Sequence, residues 1–198
     1  VVDEYGILST LEQVIHENTG PGPKRLMAGT LEQGFFGEVP SSEIITAEEL
    51  SLEVGVTQGT VQFNEGPWLK FALDGKILFR PKKAIRRGIS YDHLEEKGVI
   101  KGEKVIEIGG LKYKVRLMKG LADEYDYYEY SSGRAKYSEW NRLILPTHEQ
   151  ARDKSWKYPQ YVEDDVPYWG IDYTDADLQV ASGGGEGVWC QEYTASDS

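Results

Sequence analysis

The two-residue step Asp74-Gly75 constrains this chain more than any other feature. It sits between Trp68-Leu-Lys-Phe-Ala-Leu73 and Lys76-Ile-Leu-Phe-Arg80. An Asp-Gly pair accepts the positive φ angles of a type I′ turn, whose twist matches that of the flanking strands. The spacing predicts a β-hairpin. A second hairpin follows at Val105-Ile-Glu-Ile108, Gly109-Gly110 and Leu111-Lys-Tyr-Lys-Val-Arg-Leu117. Leu111, Tyr113, Val115 and Leu117 fall on one face of its second strand, with Lys112, Lys114 and Arg116 on the other. That is the alternation of a half-buried strand. Between the hairpins, Ser90 to Gly98 reads as a short helix, with Ser90 as N-cap and Lys97-Gly98 as its end. The expected fold class is α+β, an antiparallel sheet built on the two hairpins with short peripheral helices and a loop-rich C-terminal half.

The rest of the chain divides around that centre. Ile7, Leu8, Leu11, Val14 and Ile15 recur at helical spacing, and Gly20-Pro-Gly-Pro23 then breaks the pattern. Residues 1–29 are therefore expected to form an amphipathic arm and linker. The arm either folds back on its own domain or packs on a neighbouring subunit. Residues 30–198 are expected to form one domain. In it, Gly34-Phe-Phe-Gly37 suggests a tight turn presenting apolar bulk to a core or an interface. Thr46-Ala-Glu-Glu49 is a capping-box pattern opening a short helix that Gly55 ends. Thr57 to Asn64 suits a β lead into the first hairpin. From about residue 121 the chain turns acidic, aromatic and rich in loops. Short helices are predicted from Ser138 to Leu145, from Thr147 to about Ser155, and from Thr174, before a closing strand at Val188 to Tyr193.

Composition narrows the function classes. The chain has 198 residues and a net charge of −11, with a mean hydropathy of −0.51. Such an acidic chain repels backbone phosphates, so no nucleic-acid partner is expected. No apolar run approaches the roughly 20 residues of a membrane span, and no signal peptide or membrane insertion is expected. The opening Val1 in place of Met fits either processing or trimming. A single cysteine, Cys190, excludes an internal disulfide framework and a Cys-rich zinc site.

Motif chemistry is sparse. His148-Glu149 lacks the second His of a metalloprotease helix, because Arg152 stands at that position. Cys190 with His148 or His93 is a conceivable nucleophile–base pair, but a thiol beside Trp189 in a strand reads as inert core. No glycine run ends in the Gly-Lys-Ser/Thr of a phosphate loop. The acidic sets Asp123 to Tyr130 and Glu163, Asp164, Asp165, Asp172, Asp175 and Asp177 lack calcium-loop spacing. Neither an enzymatic activity nor a cofactor or resident metal is expected. Two binding features remain. Lys76, Arg80, Lys82, Lys83, Arg86 and Arg87 place six cations within twelve residues, a candidate assembly face for an acidic neighbour or a solvated strand face paired within the chain. Among the aromatics, Tyr127, Tyr128, Trp169 and Trp189 are candidate platforms for a glycan, although tryptophans more often fill cores.

Six strings occur in order: Gly34-Phe-Phe-Gly-Glu-Val39, Pro67-Trp-Leu-Lys-Phe-Ala-Leu-Asp-Gly-Lys76, Lys112-Tyr-Lys-Val-Arg-Leu117, Ser138-Glu-Trp-Asn-Arg-Leu143, Tyr173-Thr-Asp-Ala-Asp-Leu178 and Trp189-Cys-Gln-Glu192. Together they resemble a module of virion structural proteins of tailed bacteriophages, found in tail-fibre, tail-tip and other exposed particle proteins. The resemblance spans roughly Thr30 to Tyr193 and names no catalytic residue. The ending also resembles C-type-lectin-like and sulfatase-modifying-factor-like domains, without the paired cysteines of lectins. The resemblance implies a structural and adhesive particle component located in the virion. Its partners would be copies of itself and other virion proteins, together with a host surface during attachment. The alternatives are a host-glycan-binding module and, from another class, a hydrolase, which no carboxylate spacing supports.

Overall fold

The computed structural model describes residues 19–119, 138–153 and 166–178. The predicted helix of the arm, the 123–130 run, Trp156, residues 163–165 and the closing strand with Cys190 lie outside the described residues.

The class is α+β, as the hairpin pattern predicts. Strands β1 (Ala28–Gly29), β2 (Gln33–Val39), β4 (Trp68–Leu73) and β5 (Lys76–Pro81) form an antiparallel sheet in the order β1-β2-β4-β5. β4 and β5 meet through Asp74-Gly75, both at positive φ, with Leu73 opposite Lys76. Every residue of β4 is buried. This follows from two cores, one on each face of the sheet. Leu69, Phe71 and Leu73 point into one, with Phe35, Leu143, Ile144 and Leu178. Trp68 points into the other, with Val39, Leu50, Val54, Leu94 and Ile106. A strand covered on both faces reads as a continuous apolar run, and burying each such large side chain contributes about 1.5–3 kcal/mol.

Gly34-Phe-Phe-Gly37 is not a turn. It lies inside β2, where Phe35 pairs with Phe71 and Gly37 with Lys70, so Phe36 is the extra residue of a β-bulge. The bulge buries two consecutive aromatics, Phe35 and Phe36. Gly37 supplies the φ of 125° that the kink needs. The apolar bulk does go to the core, as expected.

The second hairpin, β7 (Val105–Ile108) and β8 (Leu111–Lys114), makes a separate two-stranded sheet. It joins the core around Trp68 through Ile106 and through Tyr113, which meets Phe79 of β5 edge-on at 5.8 Å. β8 stops at Lys114, short of the expected Leu117. Beyond it the Val115 amide donates to the Lys104 carbonyl and the Leu117 amide to those of Val99 and Ile100. The Thr57 to Asn64 lead becomes β3 (Thr60–Val61), paired with β6 (Arg86–Arg87).

Local signals place the helices. In α1 (Ala47–Val54), Thr46 Oγ1 accepts the Glu49 amide and Glu49 Oε2 accepts the Thr46 amide, the predicted capping box, and Gly55 closes at φ 76°. In α2 (Tyr91–Glu96), Ser90 caps the His93 amide. Ser138 caps Asn141, but Trp140–Ile144 winds at π pitch and passes into a 3-10 turn, Leu145–Thr147. The Thr147 hydroxyl donates back to the Ile144 carbonyl at 2.6 Å. It therefore does not cap the next helix, and α3 (Gln150–Asp153) begins later than expected, with His148 Nδ1 accepting the Gln150 amide. α4 (Asp175–Leu178) opens on a reciprocal Thr174–Asp177 box.

Candidate assembly and ligand surfaces

Of the six cations of residues 76–87, Lys76 and Arg80 share one face of β5 and the other four follow it in the chain. Lys76 is exposed beside the Asp74-Gly75 turn, and Arg87 is exposed on β6. The other four have intramolecular partners. Arg80 donates to the carbonyls of Pro81 and Lys82, and its guanidinium lies 5.5 Å over the Trp140 ring. Lys82 Nζ is 2.7 Å from Glu38 Oε1 and 4.2 Å over the Tyr173 ring. Lys83 stacks on Phe63 at 5.0 Å. Arg86 donates to the carbonyls of Thr57, Gln58 and Gly59 and to Ser51 Oγ, tying the loop after α1 to β6. Charge density in sequence thus becomes four separate staples, with the outermost positions, Lys76 and Arg87, left exposed.

Of the aromatic candidates, Tyr127, Tyr128 and Trp189 lie outside the described residues. Trp169 is half-buried, its ring stacked on Phe35 at 6.4 Å and tilted on Phe71 at 6.5 Å. Trp68 is buried with its Nε1 donating to the Ile45 carbonyl. Asp172 accepts from Tyr168 Oη at 2.7 Å, Asp175 pairs with His148, and Asp177 caps Thr174. The hydrogen bonds from Thr174 hold the Asp177 carboxyl below its usual range. Among the described residues no group of three or more His, Cys, Asp or Glu is placed to hold a metal ion, and no helix is long and apolar enough to cross a membrane.

The two histidines among the described residues are occupied. His148 is buried, and because Nδ1 accepts the Gln150 amide, its proton sits on Nε2 and donates to Asp175 Oδ1 at 3.0 Å. His93 Nε2 accepts from the amide of Thr57 at 3.3 Å. Both rings therefore brace loops.

Sequence reasoning did not single out the residues that tie the motif strings together. Arg142, from the Ser138 string, grips Asp74 of the hairpin turn with both Nη atoms, at 2.6 and 3.0 Å. Arg116, from the second hairpin, grips Glu139 with both Nη atoms, one at 2.8 Å. Glu139 also accepts the Lys119 amide, and its own amide donates to the Lys119 carbonyl. Tyr173 donates to Glu38 of β2 at 2.6 Å. Burial and then this bond push the Tyr173 phenol far above its usual range. Nothing local in the sequence marks these pairs as partners. Each partner lies 23 to 135 positions away and was not readable.

Comparison with protein-family models, with curated proteins and with solved structures finds no match to this chain.

Proposed function

We propose that this protein is a structural and adhesive component of a tailed-phage particle. It would act by assembly with copies of itself and with other virion proteins, and in host attachment. The motif strings carry the resemblance, and their contacts support the reading. Asp74 with Arg142, Arg116 with Glu139, and Tyr173 with Glu38 join five of the six strings around one sheet. Those residues brace a scaffold, and a scaffold presented in many copies gains affinity by multivalency.

One observation points to where such a scaffold would meet a partner. The Glu139–Lys119 contacts join the described residues on either side of residues 120–137. That stretch carries Tyr125, Tyr127, Tyr128, Tyr130 and Tyr137 among Ser, Gly and acidic residues. Tyr, Ser and Gly together are a composition suited to recognition, with large contact area at low entropic cost.

Immunogold labelling of purified particles tests the assignment, with labelled copies expected at regular positions on the tail or another exposed surface. Absence of the chain from purified particles overturns it. Replacing residues 120–137 by a short Gly-Ser bridge tests the recognition role. Particle incorporation is expected to persist while adsorption to cells falls. The glycan alternative predicts that the same replacement abolishes binding on a glycan array.

A further inference from the structure

Lys70 stands in the middle of β4, where every neighbour in the strand is apolar, and it is fully buried. Its Nζ lies 3.0 Å from Thr19 Oγ1, 2.9 Å from the Pro21 carbonyl, 2.7 Å from the Pro23 carbonyl and 3.5 Å from that of Gly20. The rings of Phe36 and Phe79 lie 5.0 and 5.7 Å away and add cation–π attraction. Among the described residues no carboxylate pairs with it.

We infer that Lys70 is a latch that straps residues 19–23 onto the sheet and fixes the path of the chain across it from residue 19. Burying an ammonium is costly unless all its donors are used. Here its three N–H groups meet oxygens that all come from residues 19–23. Lysine suits the task because its donors rotate about a compact centre, whereas the flat fork of arginine does not converge on a ring of oxygens. A methionine of similar length would leave the Pro21 and Pro23 carbonyls without their donor.

The segment is shaped to receive that cation. Thr19 is buried. Gly20 and Gly22 both hold positive φ, 76° and 74°. A Cβ on Gly22 would lie 2.3 Å from Val39 Cγ2, so the strap lies flush on the core around Trp68. Pro21 and Pro23 fix their own φ and lower the entropy lost when the strap seats. None of this depends on the virion reading.

Limited trypsin digestion of the full chain tests the latch. Lys24 and Arg25 are exposed immediately after the strap, and a protease needs several residues around the cut bond released from the body. In Lys70→Met, cleavage after Lys24 and Arg25 is expected to accelerate about tenfold or more, while cleavage at the exposed Lys76 keeps its rate. A folded Lys70→Met cut after Lys24 and Arg25 at the wild-type rate overturns the latch. Should Lys70→Met fail to fold, Gly22→Ala decides. It pries the strap from its own side, and the same acceleration supports the latch, while an unchanged rate overturns it. Loss of the whole fold in both variants also overturns it, because residues 19–23 would then be core and not a strap upon it.

Discussion

Arg142 Nη2 lies 2.6 Å from Asp74 Oδ1, so the tip of the central hairpin is held by a residue 68 positions later in the chain. The Arg142 hydrogen bonds hold the Asp74 carboxyl below its usual range. With its folded value depressed, Asp74 adds stability above its ordinary value of 3.8 and loses it as the pH falls through the folded value. Asp74 is 56% exposed, so the pair is worth only about 0.5–1 kcal/mol. Arg142→Ala is expected to lower the thermal midpoint at pH 7 and to leave it close to wild type at pH 2. An equal loss at both pH values would count against the ion pair.

The Arg116–Glu139 pair is more enclosed, with the Glu139 side chain 7% exposed. Arg116→Met strands that carboxylate and is expected to cost about 3 kcal/mol in urea unfolding. Adding Glu139→Gln should recover part of the loss. Additive effects in the double variant would show that the two residues do not act together.

Burial, and next the nearby Lys24 charge, pull the Lys70 amine down to about 8 from 10.5. Between those values the unfolded chain binds more protons than the folded one, so raising the pH favours folding. Wild type should gain stability relative to Lys70→Met as the pH rises from 8 to 10.5, in urea titrations at fixed ionic strength. A difference that stays flat or shrinks across that window would rule out the depressed amine.

Trp169 lies against Phe35 and Phe71. Half-buried, it is expected to cost about 2–3 kcal/mol when replaced by Ala, a loss readable by calorimetry. If Trp169→Ala instead melts like wild type, the ring contributes little to the core.

Lys76 and Arg87 are the exposed members of the basic cluster. Reversing both, Lys76→Glu with Arg87→Glu, should shift stability by no more than about 0.5 kcal/mol. Self-association measured by sedimentation should weaken if this face mediates assembly. Reversal at Lys82 is a poorer probe, because it also sets two carboxylates against each other at Glu38.

Signals that act within a few residues were legible in the sequence. The Asp74-Gly75 turn, the Thr46 box with its Gly55 stop and the Ser90 cap were each readable, because local hydrogen bonding and φ preference decide them. Where a distant partner decides, the reading failed. Gly34-Phe-Phe-Gly37 resembles a turn until β4 lies beside it, when the glycines serve a bulge and the phenylalanines divide between two faces. Thr147 has the right spacing for a cap, yet its hydroxyl is already engaged with Ile144. In the basic cluster the six charges were visible, but not that Glu38, Trp140, Phe63 and the loop after α1 would receive four of them. Lys70 was overlooked for the same reason, since nothing near it in sequence reveals the proline carbonyls that surround its head.

The contacts between Lys119 and Glu139 carry a consequence for how such a protein can vary over generations. Their hydrogen bonds fix the described residues that flank the 120–137 stretch to each other, so this junction stays in place when that stretch changes in length. Each doubling of its length would cost only about 0.6 kcal/mol in closure entropy. Variation in length between Lys119 and Glu139 is thereby set apart from the hydrogen bonds that join them, and new sequence can be tried there while that junction stays the same.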